Sequence, residues 1–233
     1  MMKIGIMQPY LFPYLGYFQL INAVDKFVIL DDVNYINRGW INRNRVLING
    51  EPKLIAIPLK EASQNKLISE IEIVTDQKWR ERLLRTLEFN YKKAPYFHDI
   101  FSLIEKIILN KEQHISTFIY KSLLDINTYI GINTFIEPSS GKYATKHLKA
   151  EQKILNICIQ ENVTTYINPI GGTELYSKQL FEDNNIDLFF LESDEIRYNQ
   201  NLMNFIPWLS IVDVMMFNSK NDIKEMLNKY KLV

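Results

Sequence analysis

The chain has 233 residues, with 27 Lys and Arg against 27 Asp and Glu, 47% hydrophobic residues and 23% charged ones. A chain of this length buries roughly 70–75% of the surface its unfolded form exposes, so it needs no staples to hold a core, and its composition is that of a globular protein. The balanced charge argues against a general nucleic-acid or membrane-surface binder and leaves room only for a local basic patch.

The single cysteine, Cys158, excludes an intramolecular disulfide and suits a reducing compartment. It stands between Ile157 and Ile159, where a small buried hydrophobe is expected rather than a reactive thiol. The segment Met1 to Pro9 is too short in apolar length for a signal peptide. No stretch reaches the roughly 18 apolar residues of a membrane span. A cytoplasmic location is the expectation.

In chain order, Ile4 to Met7 reads as a buried strand stopped by Pro9. Leu15, Phe18, Leu20 and Ile21 recur at helical spacing, and Lys26 to Leu30 is a second buried strand that ends at Asp31-Asp32. Strand, helix and strand within thirty residues form a βαβ unit, which implies a parallel sheet. A polar, aromatic loop runs from Asp31 to Arg45. Asn49-Gly50, between Val46–Ile48 and Lys53–Ile57, predicts a hairpin.

The middle of the chain predicts helices. Trp79, Leu83, Leu84, Leu87 and Tyr91 share one face, and Pro95 breaks that helix. Two more follow over 96–109 and 112–130, the second capped at Asn110 and ended by Gly131. Strands are predicted at Thr134–Ile136, Thr164–Ile167 and Asp187–Leu191, with helices over 147–161, 173–184, 207–216 and 220–230. The expected fold class is α/β and Rossmann-like: about five mostly parallel strands, a β-hairpin and a helical insert near 76–131, all in one domain spanning 1–233.

Ligands of open parallel sheets bind beyond the carboxyl ends of the strands. Three segments qualify. The first holds Gln8, Pro9, Tyr14, Gly16 and Tyr17, where a helix N-terminus suits a phosphate. The second holds Asp31, Asp32, Asn34, Tyr35, Arg38, Trp40, Asn42, Arg43 and Arg45. Arginine forks match phosphates, asparagines read hydroxyls, and a tryptophan face stacks on a sugar or base. The third holds Asn168, Gly171 and Gly172, whose backbone N–H groups would face an anion.

Gln8-Pro9, Pro13, Gly16-Tyr-Phe18, Asp31-Asp-Val-Asn-Tyr35 and Arg38-Gly-Trp-Ile-Asn-Arg-Asn44 together resemble the WbqC-like family. Tyr91-Lys-Lys-Ala-Pro-Tyr96, Tyr166-Ile-Asn-Pro-Ile-Gly-Gly172 and Leu209-Ser-Ile-Val-Asp213 extend the resemblance over essentially the whole chain. That family is associated with bacterial O-antigen and capsule loci. The resemblance implies a substrate that is a nucleotide-linked or lipid-linked sugar, including amino sugars, and a transferase that decorates it. A weaker likeness is to nucleotidyltransferases and class I tRNA synthetases, whose His-x-Gly-His motif opens the first helix. Tyr14-Leu-Gly-Tyr17 occupies the comparable place and lacks both histidines.

Other constellations fail. Ser139-Ser-Gly-Lys142 is not a P-loop, because residue 136 is Ile and residue 143 is Tyr. His98, His114 and His147 show no metal-ligand spacing. Asp213, in an apolar run, is expected to anchor an arginine of the 38–45 loop or to act as a site acid or base.

The leading expectation is an enzyme. Arg38, Arg43 and Arg45 would meet phosphates, Trp40 a ring, and Asp31 or Asp32 would serve as base or as ligand to a magnesium ion carried by a diphosphate. Two rivals stay open: a non-catalytic scaffold subunit, partnered with a glycosyltransferase or a polysaccharide-assembly complex, and a degenerate nucleotidyl- or aminoacyl-transferase-like enzyme.

Overall fold

The computed structural model describes residues 1–233. The strand β1 (Lys3–Met7) leads into helix α1 (Leu15–Ala23) and strand β2 (Lys26–Ile29). A hairpin follows, β3 (Arg43–Ile48) and β4 (Glu51–Ala56), closed by Asn49 and Gly50, both at positive φ. These two residue types accept that conformation at least cost, which is why the pair makes the turn. The hairpin stays apart from the main sheet, and a two-residue pair, β5 (Leu59–Lys60) with β6 (Glu72–Ile73), succeeds it.

The helical insert comprises α2 (Lys78–Tyr91), α3 (Phe97–Ile108) and α4 (Ile115–Ile130). The α4 N-cap is His114, not Asn110. Asn110 instead accepts the Glu112 N–H in the preceding turn at 3.0 Å. Gly131 ends α4 at φ 83°.

The chain then alternates: β7 (Phe135–Glu137), α5 (Ala150–Gln160), β8 (Thr165–Pro169), α6 (Lys178–Glu182), β9 (Asp187–Ser193), α7 (Ile211–Phe217), α8 (Lys220–Met226) and β10 (Tyr230–Leu232). The helix expected over 173–184 is confined to α6, and the one over 220–230 stops early to release β10. The sheet order is β10-β9-β8-β1-β2-β7. Five strands are parallel, and β10 alone runs antiparallel, against β9. This is the Rossmann-like α/β architecture.

Helices cover both faces. Ile4, Ile6, Val28, Tyr166, Leu188 and Phe190 point to the side packed by α5 and α6. Phe27, Ile29 and Ile167 point to the side packed by α1, α4 and the C-terminal helices, where the larger core lies. Gly5 alternates to that second side. A Cβ there would stand 3.4 Å from Leu20 and 3.1 Å from Phe27, so its absence lets α1 sit close on the sheet. No helix is long and apolar enough to cross a membrane.

Candidate functional site

Strand β1 lies centrally. On one side is β2, reached through α1; on the other is β8, reached only after β7 and α5. The direction of winding therefore reverses at the β1–β8 boundary, where loops diverge and leave a crevice beyond the strand ends. The loop Gln8–Tyr14 leaves β1 there, stiffened by Pro9 and Pro13.

Tyr14 is the N-cap residue of α1, and its ring lies across Gly16. Any side chain at Gly16 would strike that ring. The glycine thus leaves room for the Tyr14 ring. Tyr10 stands beside it, 6.3 Å between ring centroids, and 6.0 Å from the Trp40 ring. Trp208 meets Tyr14 edge-on. With Arg45, these four aromatics line a hollow of about 190 Å³. Trp40 and Trp208 are 44% and 54% exposed, far more than two tryptophans serving only the core would be.

Arg45 gives the hollow its charge. It projects from β3, with its guanidinium carbon 5.8 Å from the Trp40 ring centroid and one terminal nitrogen donating to the Trp208 carbonyl at 3.3 Å. Its Nε is buried and has no hydrogen-bond partner. Burial pushes the Tyr10 and Tyr14 hydroxyls above their ordinary range, with the neighbouring Tyr14 adding to the effect on Tyr10 and Arg45 opposing it. Both hydroxyls therefore stay protonated at neutral pH and can donate hydrogen bonds.

Asn44, fully buried, holds this wall together. Its amide nitrogen donates to the carbonyls of Leu11 and Phe12, and its oxygen accepts from Tyr10 at 3.3 Å and from the Arg45 N–H at 2.7 Å. Ser210 adds a bond to the Phe12 carbonyl at 2.8 Å. Phe12 itself adopts φ 42° and Trp208 φ 59°, a backbone region that costs non-glycine residues energy and that recurs at functional sites.

A second, smaller hollow adjoins the first and shares Tyr14 and Trp208 with it. Its walls are mostly apolar, and Asp194 and Glu195 stand at its rim.

Of the residues singled out in the sequence, Tyr14, Gly16, Trp40 and Arg45 converge here. The others are placed elsewhere or spent on the scaffold. Arg43 donates to the carbonyls of Gly39 (2.8 Å) and Arg38 and packs on Trp40, so it braces the loop. Arg38 is exposed at φ 61° and lines neither hollow. Tyr35 donates to Asn42 at 3.1 Å, and Asn42 in turn to the Ile57 carbonyl at 2.8 Å. Asn34 pairs by its backbone with Leu67. Tyr17 is buried and donates to the Gln8 carbonyl at 3.0 Å, while Pro9 is buried beside it. Asn168 is also buried and donates to Tyr166. Gly172 is required because a side chain there would strike Asn168; Gly171 faces open space.

Asp31 and Asp32 are both buried, at 3% and 5% exposure. Asp31 accepts from Ser116 (2.7 Å), Ser139 (2.6 Å) and the Ser140 N–H (3.2 Å). Asp32 accepts from Ser140 and pairs with Lys153 at 2.5 Å. Desolvation raises the Asp31 pKa, and the hydroxyl bonds from Ser139 and Ser116 oppose it. Each carboxylate oxygen already has a partner. The two residues therefore tie β2 to α4 and α5, do not present an open base, and do not fit a magnesium ion without giving up these bonds.

Asp213 is an anchor, as one of its two readings held, but for different partners. It accepts from Tyr91 (2.7 Å), Tyr198 (2.7 Å) and Gln200 (3.0 Å), and no arginine reaches it. Cys158 is buried, and burial raises its thiol pKa, as expected of a core residue.

Sequence reasoning missed Tyr10 and Trp208. Tyr10 carried a signal, since it stands within the proline-flanked loop already singled out. Trp208 carried none, because it reaches the site through tertiary contact alone.

A family model described as the WbqC-like protein family matches residues 8–225. An uncharacterized protein of Mycobacterium tuberculosis (strain ATCC 25618 / H37Rv), Rv1507c, is 30% identical over 217 residues, covering 92% of this chain and 93% of its own. No solved structure matches with significance. With both matches spanning nearly its full length, the chain belongs to the WbqC-like protein family.

Proposed function

We propose that this protein is a transferase-type enzyme of bacterial surface-polysaccharide biosynthesis that acts on a nucleotide- or lipid-linked sugar. The observation that carries the reading is Arg45, an incompletely paired guanidinium set among Tyr10, Tyr14, Trp40 and Trp208 at the switch point of the sheet. An arginine on an aromatic face is a receptor for a ring that carries a phosphate: the ring lies on the aromatics and the phosphate meets the guanidinium. Protonated Tyr14, whose hydroxyl is not spent on the wall as that of Tyr10 is on Asn44, would supply a further donor to the same anion.

A panel of nucleotide sugars, free nucleotides and acyl donors, followed by thermal unfolding, tests this. A ligand at about 100 times its dissociation constant adds roughly 2.7 kcal/mol of stability. The expected result is stabilisation by one class of nucleotide sugar, lost in Arg45→Ala and retained in Arg38→Ala. Stabilisation that survives Arg45→Ala would remove the anion-binding role.

One observation favours a second reading, a binding subunit without turnover. The aromatic hollow is lined by no carboxylate and no histidine, and the nearest lining carboxylates, Asp194 and Glu195, belong to the adjoining hollow. Turnover by the isolated chain separates the two: group transfer abolished by Asp194→Asn supports the enzyme, and tight binding without turnover supports the subunit.

A further inference from the structure

We infer that α2 is a docking surface for an anionic lipid bilayer. The inference is independent of what occupies the aromatic hollow. Lys78, Arg82, Arg85, Phe89 and Lys92 follow one another at steps of four, three, four and three residues. At about 100° per residue they form a single stripe, which over the fourteen residues of α2 is roughly 21 Å long. The opposite face is the buried one, carrying Leu83, Leu84, Leu87 and Tyr91. All five stripe residues are exposed, and so is Lys93 just beyond them.

Two features distinguish this stripe from an ordinary solvated helix face. The first is charge segregation in a chain whose total is balanced. Glu81 and Glu88 lie on the flank of the stripe, and only Arg85 has an acidic partner, Glu81 at 3.6 Å. The second is Phe89, 68% exposed in the middle of the cations, with the Lys92 ammonium 5.6 Å from its ring centroid.

A broad hollow runs along each side of the ring. The one on the C-terminal side is walled by Leu202, and its neighbour Met203 is fully exposed. Phe89 therefore stands out as part of a ridge between hollows and is not enclosed by a groove. A ridge with a protruding aromatic meets a plane, and the plane that matches clustered cations is an anionic headgroup layer. There each Lys or Arg adds to the attraction, and the ring enters the acyl boundary.

The test is cosedimentation with vesicles of equal parts phosphatidylcholine and phosphatidylglycerol, with pure phosphatidylcholine as control and a single-stranded oligonucleotide as competitor. The expected result is pelleting with the anionic vesicles alone, weakened as added salt shortens the screening length. The doubly charge-reversed R82E/R85E variant should lower the partition coefficient at least tenfold. F89A, which leaves the charge unchanged, should lower it several-fold. Circular dichroism and the thermal midpoint establish that these exposed substitutions leave the fold intact, and F89A keeps the test decisive if the double variant is unstable. Wild type that stays in the supernatant, partition unchanged by R82E/R85E, or binding of the oligonucleotide in preference to the vesicles would each overturn the inference.

Discussion

The ring of Tyr14 meets the ring of Trp208 edge-on, with centroids 6.0 Å apart and planes at 73°, and this pair forms the wall shared by the two hollows. Tyr14 comes from the start of α1 and Trp208 from the long connection between β9 and α7, 194 positions later in the chain. The site is therefore closed by tertiary contact, and Trp208 is the half of the wall that the scaffold needs least.

Replacing Trp208 separates function from stability. Its φ of 59° favours glycine, so Trp208→Gly relieves backbone strain of about 1 kcal/mol while removing one side of the ligand wall. The expected outcome is a thermal midpoint equal to or above that of wild type, together with loss of ligand-induced stabilisation. A variant that still binds would show that the wall is not part of the site.

The pair Lys153–Asp32 is buried on both sides, with side chains 5% and 3% exposed. Removing one member leaves an uncompensated charge, so Lys153→Ala should cost about 3–5 kcal/mol. In an Asp32→Asn background the same change should cost less, and a double-mutant cycle in urea should give a coupling above about 1 kcal/mol. Additive losses would mean the contact does not hold α5 to β2.

Asp213 and Asp31 make stability depend on pH in a definite direction. Burial raises the folded-state pKa of both above the unfolded value, against the pull of their hydrogen bonds. A group with a raised folded pKa favours the protonated folded form. Its contribution is fully present below the unfolded value of about 3.9 and is lost as pH rises through the folded one. In Asp213→Asn this part of the pH dependence should disappear, although the new amide N–H₂ replaces one of the two accepting oxygens, faces either Tyr91 or the Tyr198 and Gln200 pair, and lowers stability at every pH. Denaturant melts from pH 4 upward measure the slope; an unchanged slope in the variant would assign it elsewhere.

Two adjacent glycines should behave differently. A methyl group at Gly172 would collide with the buried Asn168 side chain, whereas at Gly171 it would meet nothing within 4 Å. Gly172→Ala should cost about 1–3 kcal/mol, and Gly171→Ala should fall within roughly 0.5 kcal/mol of wild type. Thermal unfolding of the two single variants compares them directly.

Much of this protein was legible in the residues. Apolar runs such as Ile4–Met7 and Lys26–Leu30 mark strands buried on both faces, Asn49-Gly50 marks its hairpin, and Gly131 marks a helix end, because each is a local preference of backbone or burial. What escaped was β10: Tyr230–Leu232 is too short and too exposed to show a period, and it becomes a strand only because β9 offers it an edge. The same reason governs the site. Residue type alone made Arg38, Arg43 and Arg45 equivalent, and made Asp31 and Asp32 look like open acids. Only the fold turns Arg43 onto its own loop, leaves Arg45 beside Trp40 and Trp208, and surrounds both aspartates with Ser116, Ser139, Ser140 and Lys153. Local preference in the residues marks most of the strands, helices and turns, but not the short pair β5–β6 or the edge strand β10. Which charges are satisfied is settled only in three dimensions, since it depends on partners brought from as far as 163 positions away, as Trp208 is for Arg45.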